Sequence, residues 1–555
     1  MTTHQFAPRS AVALILITSV LVASVSAPIP LSGDDELPLI ISLVAGTGDT
    51  GFSGDGGPAT EAKLSGPTTV AVDGAGRVYI ADEDNHRIRM VDTDGVITTF
   101  AGYGDSGGGG DGVLATAAQL QYPSGVAVDT SGNVFIADRI DHRVRMVPAA
   151  DGTYFTQEMQ AGCIYTIAGT GTLGWDGDGV LGTTTRLDKP WGVAVDSSGN
   201  VYIGDGGNCR VRRVAASTGF ITTVAGAGPG SYTEDREAVT QYLPTVYDVD
   251  ITPDGHLLIA LVGINVVAMV PSTSGTLYGR SMTAGYIYTL AGMMNQPGFE
   301  GDGGPANSAK LRAPTGMAAD ADGNVYIADT SNHRVRVVGA DGIITTYAGT
   351  GDNESSGDGG PPLEAGLMSP WGVGTGAGSR VHIADNTANR VREVGPDVET
   401  VELALAVGWN MVSVPVRAAD MSRQVIFPPD DVVAVYTWDP LLKRYVVPNT
   451  IVPEVGYWVA VTSDKPIYVT GTPVTTWPSS LITGWNMVGS VYGPAVSVND
   501  EDAFTVAPPG SVLTSAIYQW NPVGKTYNAA TSIEQGVGYW LASVADCELT
   551  LGPPD

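Results

Sequence analysis

The sequence predicts an all-β protein whose larger part is assembled from repeated four-stranded sheets. Three observations support this fold class. A segment of about 16 residues recurs six times at a nearly regular period, and each recurrence divides into four short strand-like pieces. The 555 residues also include 73 Gly and 35 Pro, which is typical of a chain with many tight turns.

The recurring segment is clearest at residues 322–338, DGNVYIADTSNHRVRVV. Its "IAD" aspartate falls at Asp82, Asp138, Asp205, Asp329 and Asp385, whereas the weaker copy at 255–270 has Leu261 there. Successive spacings are 56, 67, 56, 68 and 56 residues. A period of this size indicates a repeat array or a propeller.

Each repeat contains four predicted strands. In the first repeat they are Thr68–Asp73, Arg77–Asp82, His86–Val91 and Val96–Gly102, joined by DGAG and DTDG turns that favour hairpins. The strands are apolar on both faces, as expected when a sheet is covered on both sides. Sheets stacked radially around an axis provide that cover, so the predicted fold is a β-propeller.

The number of blades follows from the innermost strands. Six positions directly follow a Pro at the start of such a strand: Thr68, Ser124, Trp191, Thr245, Thr315 and Trp371. The strand LIISLVAG at 39–46 precedes the first of them and has no blade of its own. We expect it to complete the blade of residues 371–394 and so to close the ring.

Two similar insertions explain the longer repeats. Residues 148–162 and 271–285 both lie between a third and a fourth predicted strand. Short and long repeats therefore alternate, as if a unit of two blades had been multiplied.

A Gly-rich motif recurs in the loops between blades. The copies are GFSGDGGPATEAKL (51–64), GGGGDGVLATAAQL (107–120), GWDGDGVLGTTTRL (174–187), GFEGDGGPANSAKL (298–311) and SSGDGGPPLEAGLM (355–368). Together with the IAD and NHR triplets, these loops resemble NHL-repeat propellers, particularly the bacterial and teneurin-like branch, over residues 39–396. The resemblance implies a binding scaffold on an extracellular or sensory protein, or, in a minority of relatives, a metal-dependent lyase or lactonase.

Two small β-modules are predicted after the propeller, over residues 402–475 and 476–553. GWNMVSVPV (408–416) and GYWVAV (456–461) recur as GWNMVGSVY (484–492) and GYWLAS (538–543). Each module is too short to bury a large core, so we expect the two to pack together. They resemble modules of prokaryotic surface proteins, and their Trp and Tyr are interpreted as core residues in preference to sugar platforms.

The N-terminus predicts export. Residues 1–27 combine Arg9, an apolar run from Ala11 to Ala23 and small residues up to Ala27, which is typical of a signal peptide or N-terminal anchor. The expected location is extracellular or on the cell surface. The net charge of −30 argues against a nucleic-acid partner, because such partners require a basic face. Three cysteines form no disulfide framework.

Two repeated residue sets could carry metal chemistry. A ring of carboxylates in the loops could bind Ca²⁺, although turn formation is the favoured interpretation. These carboxylates are Asp55, Asp111, Asp178, Asp302 and Asp358. His86, His142 and His333 could ligate zinc, but one repeated position on separate blades should keep them apart. The neighbouring arginines are instead expected to pair with the IAD aspartates: Arg87, Arg143, Arg210, Arg334 and Arg390.

Two function classes remain open. The favoured one is a binding scaffold without catalysis or cofactor, whose partner is a protein, a peptide or a glycan. The alternative is a lactonase- or lyase-like propeller enzyme with a metal in its central channel. The sequence shows no Cys–His arrangement and no phosphate loop with its lysine.

A ligand should bind where the blades differ. Trp191 and Trp371 replace the Thr or Ser of the other blades, and blades 3 and 6 face one another across a six-fold ring. We expect the two indoles to flank the channel mouth on the loop-rich face, with Trp175 and Tyr247 nearby. Opposed aromatic rings can hold a sugar, a peptide side chain or a cation. In the alternative, both indoles only plug the channel or pack between blades.

Overall fold

The computed structural model describes residues 39–376, 380–397 and 399–403, and then shorter segments, mainly strands, between residues 405 and 551. The predicted export segment, residues 1–27, lies outside the described residues. No helix among the described residues is long and apolar enough to cross a membrane.

Six antiparallel sheets occupy residues 39–396, each with four main strands. The innermost strands are Pro67–Val72, Pro123–Val128, Pro190–Val195, Asp248–Ile251, Pro314–Ala319 and Pro370–Thr375, which define blades 1 to 6. The second strands are Val78–Asp82, Val134–Asp138, Val201–Asp205, Leu257–Leu261, Val325–Asp329 and Val381–Asp385. The third strands are Arg87–Val91, Arg143–Val147, Arg210–Val214, Val266–Val270, Arg334–Val338 and Arg390–Pro396. The outermost strands are Val96–Ala101, Tyr165–Ala168, Phe220–Ala225, Tyr286–Ala291, Ile343–Ala348 and, for blade 6, Leu39–Ala45. The predicted all-β class is therefore confirmed.

The sheets form a closed ring. Each innermost strand contacts those of the two neighbouring blades, and the innermost strand of blade 6 contacts that of blade 1. The strand Leu39–Ala45 pairs antiparallel with Arg390–Pro396, with Leu39 opposite Pro396 and Ile41 opposite Val394. The ring is thus closed by the N-terminal strand, as the sequence predicted.

The apolar core lies between adjacent blades. In the cluster that joins blades 6 and 1, Ala384 and Val391 pack with Val70 and Ile80, all of them buried. Both faces of a blade are covered in this way, which explains why its strands lack a polar face.

Blade 4 begins in a different register from the one predicted. In five blades a Pro opens the innermost strand, three residues before the Val or Met that pairs with the Ile of the second strand. In blade 4 that Val is Val249, and Pro244 stands five residues before it. Val249 stands opposite Ile259 as Val193 stands opposite Ile203, so Tyr247, not Thr245, is the counterpart of Trp191. The expectation that blade 4 carries Thr there was therefore wrong.

The two insertions fold as small hairpins beside the blades. Gly152–Tyr154 pairs with Gln157–Met159, and Gly275–Leu277 pairs with Arg280–Met282. Both lie between a third and an outermost strand, as expected.

The C-terminal segments repeat one sheet order. Gly408–Val412, Tyr457–Val461, Val432–Asp439 and Arg444–Val446 form one four-stranded sheet. The second sheet has the same order: Gly484–Val488, Tyr539–Ser543, Val512–Asn521 and Thr526–Ala529. Two further sheets accompany them, Glu399–Leu403 with Ile467–Pro473 and Val416–Arg417, and Trp477–Leu481 with Cys547–Leu551 and Phe504–Ala507.

The C-terminal segments also contain a pair of two-residue strands, Val496–Ser497 and Ser532–Ile533, and one helical turn, Arg423–Ile426. The two copies meet directly, since Trp438 contacts Trp540 with ring centroids 5.5 Å apart and Val412 bridges to Val537. The exact boundaries of the two modules stay a prediction.

Candidate functional site at the propeller axis

In the five blades other than blade 4, the third strand carries two repeated arginines with different roles. Arg87, the first, donates hydrogen bonds to backbone carbonyls of neighbouring loops. Arg89, the second, is fully buried and lies 3.5 Å from the carboxylate of Asp82 and 2.6 Å from that of Asp55. Its counterparts are equally buried: Arg145, Arg212, Arg336 and Arg392. The expectation that the first arginine pairs with the IAD aspartate was wrong, because the second lies against that carboxylate while the first bonds to loop carbonyls.

The loop aspartates are ion-pair partners of these arginines. Asp55 accepts hydrogen bonds from Arg89 at 2.6 Å and from Thr99 at 2.7 Å. The flanking Gly54 and Gly56 have φ values of +90° and +81°, as a tight turn requires. The glycines therefore make the turn, while the carboxylate holds the loop against its blade. The same pairing recurs at Asp111, Asp178, Asp302 and Asp358.

The three repeated histidines tie each blade to the next. The backbone N–H of Tyr122 donates to His86 Nδ1 at 3.3 Å, and that of Lys189 donates to His142 Nδ1 at 3.1 Å. His333 Nδ1 bonds to the carbonyl of Met368. In the part of the chain that the structure describes, no three His, Cys, Asp or Glu side chains form a group suited to a metal ion.

Three of the four predicted site residues meet at the axis. Trp191 and Trp371 lie with ring centroids 6.3 Å apart at 51°, and Tyr247 stacks on Trp191 at 4.8 Å and 21°. The guanidinium of Arg139 lies 4.2 Å from the ring centroid of Trp191, so both faces of that indole are covered. Trp191, Tyr247 and Trp371 are called the aromatic cap. The three rings pack against one another at the axis, and a cavity of about 20 Å³ lies against them. The ligand site between the indoles and the alternative of a plug both stay predictions.

Trp175 is not part of the aromatic cap. Its ring is 43% exposed and is covered by the guanidinium of Arg210 at 4.3 Å. Phe52 and Phe299 stand at the same loop position, under Arg87 at 3.7 Å and Arg334 at 4.2 Å. Trp175 thus belongs to a repeated contact between loop and blade.

A cavity of about 360 Å³ lies along the axis behind the aromatic cap. The six innermost strands line it, mainly through Val, Ala and Gly residues. Turn residues such as Asp129, Asp196 and Thr252 surround its other end, so the cavity opens on the face opposite the inter-blade loops.

Two aspartates of blade 4 line this cavity. Asp248 accepts a hydrogen bond from the backbone N–H of Met317 at 3.2 Å, and Asp250 accepts one from Ala319 at 2.9 Å. Burial raises the pKa of Asp248 to about 8 and that of Asp250 to about 6. The charge of Asp250 adds to the effect on Asp248, and the hydrogen bonds oppose it.

The pairing register shows that these aspartates are peculiar to blade 4. The counterparts of Asp248 are Thr69, Gly125, Gly192, Gly316 and Gly372, and those of Asp250 are Ala71, Ala127, Ala194, Ala318 and Gly374. Sequence reasoning missed both because it aligned blade 4 on its displaced Pro. The buried Leu243 would have given the correct register, since a leucine stands six residues before the paired Val or Met in every blade.

Two NHL-type family profiles match parts of the chain. One is described as the Teneurin NHL domain and matches residues 31–106 and 294–355; the other is described as the NHL repeat and matches residues 120–145 and 187–214. These matches and the ring of sheets are consistent with an NHL-type β-propeller.

Similar curated proteins match the propeller part. NHL repeat-containing protein 2 of Homo sapiens is 26% identical over 348 residues, which is 58% of this chain and 45% of that protein. Teneurin-3 of Mus musculus is 26% identical over 329 residues, or 56% of this chain and 10% of that protein. The chain therefore spans less than half the length of these relatives.

Solved structures give weaker likenesses. An auxiliary nutrient binding protein from Bacteroides ovatus is 15% identical with a TM-score of 0.46, over 65% of this chain and 77% of its own. A virginiamycin B lyase from Staphylococcus aureus is 12% identical with a TM-score of 0.34, over 59% and 80%. Such scores support no functional inference.

Proposed function

We propose that this chain is an exported or surface-displayed recognition protein, that it catalyses no reaction, and that its partner binds the loop-rich face of the propeller. One observation supports the proposal above others. The repeated polar residues hold the blades together, whereas the half-buried aromatic cap occupies a position where the blades differ. Residues that differ among the repeats do not make the contacts that hold all the blades together.

The inter-blade loops add apolar surface to the same proposal. They carry large exposed side chains, among them Tyr103, Leu114, Leu173, Tyr242 and Leu363, which are 42% to 61% exposed. Exposed aromatic and aliphatic side chains are common in recognition surfaces, where a few of them provide most of the binding free energy. A protein, a peptide or a glycan could use such a surface.

A screen against peptide and glycan arrays tests this function. The exported full-length chain is compared with Trp371→Thr and Trp191→Thr, which introduce the residue of blades 1 and 5. We expect a specific partner to bind the wild type and to be lost with Trp371→Thr at an unchanged melting temperature. Phe220→Thr, which removes a 48% exposed ring from an outermost strand, is the matched control.

Two results would contradict the proposal. Equal binding by the Trp371→Thr protein removes the site from the loop-rich face. Loss of folding in both tryptophan variants assigns the cap a packing role only. We expect Trp191→Thr to be the less stable variant, because Trp191 contacts Tyr247, Trp371 and Arg139.

Export is tested separately by deletion of residues 1–27. Without its apolar run the chain should stay in the cytoplasm, because that run is what the secretion machinery recognises. Cell fractionation measures the outcome. Wild-type amounts of the truncated chain outside the cell would show that the segment is not an export signal.

A further inference from the structure

We propose that the axial cavity is a second binding site, and that it takes a small organic amine whose ammonium group is held by Asp248 and Asp250. This site opens on the face opposite the inter-blade loops and does not depend on the partner proposed above.

The volume and the wall of the cavity fit a small molecule. Its volume of about 360 Å³ is near the lower end of the roughly 300–1,000 Å³ that is usual for ligand pockets. The aromatic cap lies towards one end of the axis, and the turn residues Asp129, Asp196 and Thr252 surround the other end, where the cavity opens. The wall exposes polar and apolar surface in similar amounts, which suits a small amine with a short hydrocarbon chain.

The acidic groups of the cavity face no cationic side chain among the described residues that line it. Asp248 and Asp250 lie two residues apart on one strand, so both side chains are on the same side of it. Asp129 and Asp196 at the open end are also acidic. Among the described residues that line the cavity there is no Lys, Arg or His, and no described cationic side chain lies within ion-pair distance of Asp248 or Asp250.

The two carboxyl groups are fixed in place. Each accepts one backbone hydrogen bond from blade 5, which orients the side chain along the wall. Blade 3 has Gly192 beside Asp248, where a Cβ atom would lie 2.2 Å from Asp248 Oδ1. The position of this carboxyl therefore depends on a glycine in the neighbouring blade.

The ring itself does not require these acids. Blades 2 and 5 close against their neighbours with Gly and Ala at the same two positions. A buried carboxylate without a cationic partner costs free energy, so blade 4 carries a cost that its counterparts avoid. An ammonium group supplies the missing charge and three hydrogen-bond donors, and charge-assisted bonds of this kind are strong.

The probes are n-butylamine, 1,4-diaminobutane and 1-butanol, titrated into the full-length chain by calorimetry. We expect both amines to bind and the neutral alcohol of the same length not to bind. Asp248→Asn and Asp250→Asn should each weaken amine binding by about tenfold or more, because each removes one charge-assisted contact. Asn retains a carbonyl that can accept the backbone hydrogen bond, so these variants should fold.

Three comparisons complete the test. Asp254→Asn removes a charge from an exposed residue beside the cavity mouth and should leave amine binding unchanged. Asp248→Gly and Asp250→Ala, the residues of other blades, should abolish binding in proteins that melt at the wild-type temperature or above it. Binding of 1-butanol as tight as that of n-butylamine, unchanged binding by both Asn variants, or binding of Ca²⁺ with no amine binding would each overturn the proposal.

Discussion

At the scale of single residues, Arg89 shows how the blades tolerate buried charge. Its guanidinium is fully buried against Asp82, which is also fully buried. In blade 4 the register places Ala268 and Leu261 at these two positions, so the cation and its inner partner are replaced together by apolar residues. This pattern agrees with the physics of buried ion pairs, in which losing one partner costs more than losing both.

We therefore predict that Arg89→Ala lowers the free energy of unfolding by about 3–5 kcal/mol, since it leaves the Asp82 carboxylate buried without a cationic partner. The double variant Arg89→Ala, Asp82→Leu should recover part of that loss. Chemical denaturation measures both, with Arg186→Ala as the control, because Arg186 pairs with Asp176 at the exposed surface. A double variant less stable than the single one would contradict the prediction.

Asp248 gives a prediction about pH. Its pKa is about 8 in the folded chain and about 3.9 in an unfolded one, so between these values the folded state holds a proton that the unfolded state has released. Stability must then fall as pH rises through this window, by up to about 1.4 kcal/mol per pH unit from this site. Asp248→Asn removes the dependence while Asp250 stays in both proteins. The variant should gain stability relative to wild type between pH 5 and pH 8; parallel pH profiles would contradict this.

At the scale of one element, the strand Leu39–Ala45 closes the ring although it precedes every blade in the chain. It supplies the outermost strand of blade 6 and buries Ile41 fully. Its loss would expose the edge of Arg390–Pro396 and unpair a ladder of backbone hydrogen bonds.

Deletion of residues 28–46 should therefore destabilise the whole propeller and not only one end of it. A lost strand should cost well over 1 kcal/mol, so we expect the melting temperature to fall by several degrees. Deletion of residues 28–38 alone is the control and should leave melting unchanged. A change within about 2 °C for the longer deletion would show that closure contributes little.

At the scale of the whole molecule, the propeller is complete without the C-terminal segments. Every strand of the six sheets lies between residues 39 and 396. We predict that removal of residues 397–555 leaves the unfolding of the ring unchanged within a few degrees, as judged by calorimetry of both chains. A large loss of stability would show that the two parts fold as one unit.

The sequence by itself determined the all-β class, the four strands of each repeat and the closing role of residues 39–46, because these follow from local pattern and period. It also placed the insertions 148–162 and 271–285 correctly. Such features depend on turns, strand alternation and counting, all of which are written along the chain.

Only the tertiary structure decided which charges pair and what lies at the axis. Arg87 and Arg89 look alike in sequence and lie on the same side of their strand, yet only Arg89 reaches the buried Asp82, while Arg87 bonds to backbone carbonyls of loops. The displaced Pro244 concealed that Tyr247, Asp248 and Asp250 occupy the axial positions of blade 4. Contacts between residues that are distant in the chain depend on how six strands converge, and no single repeat contains that information.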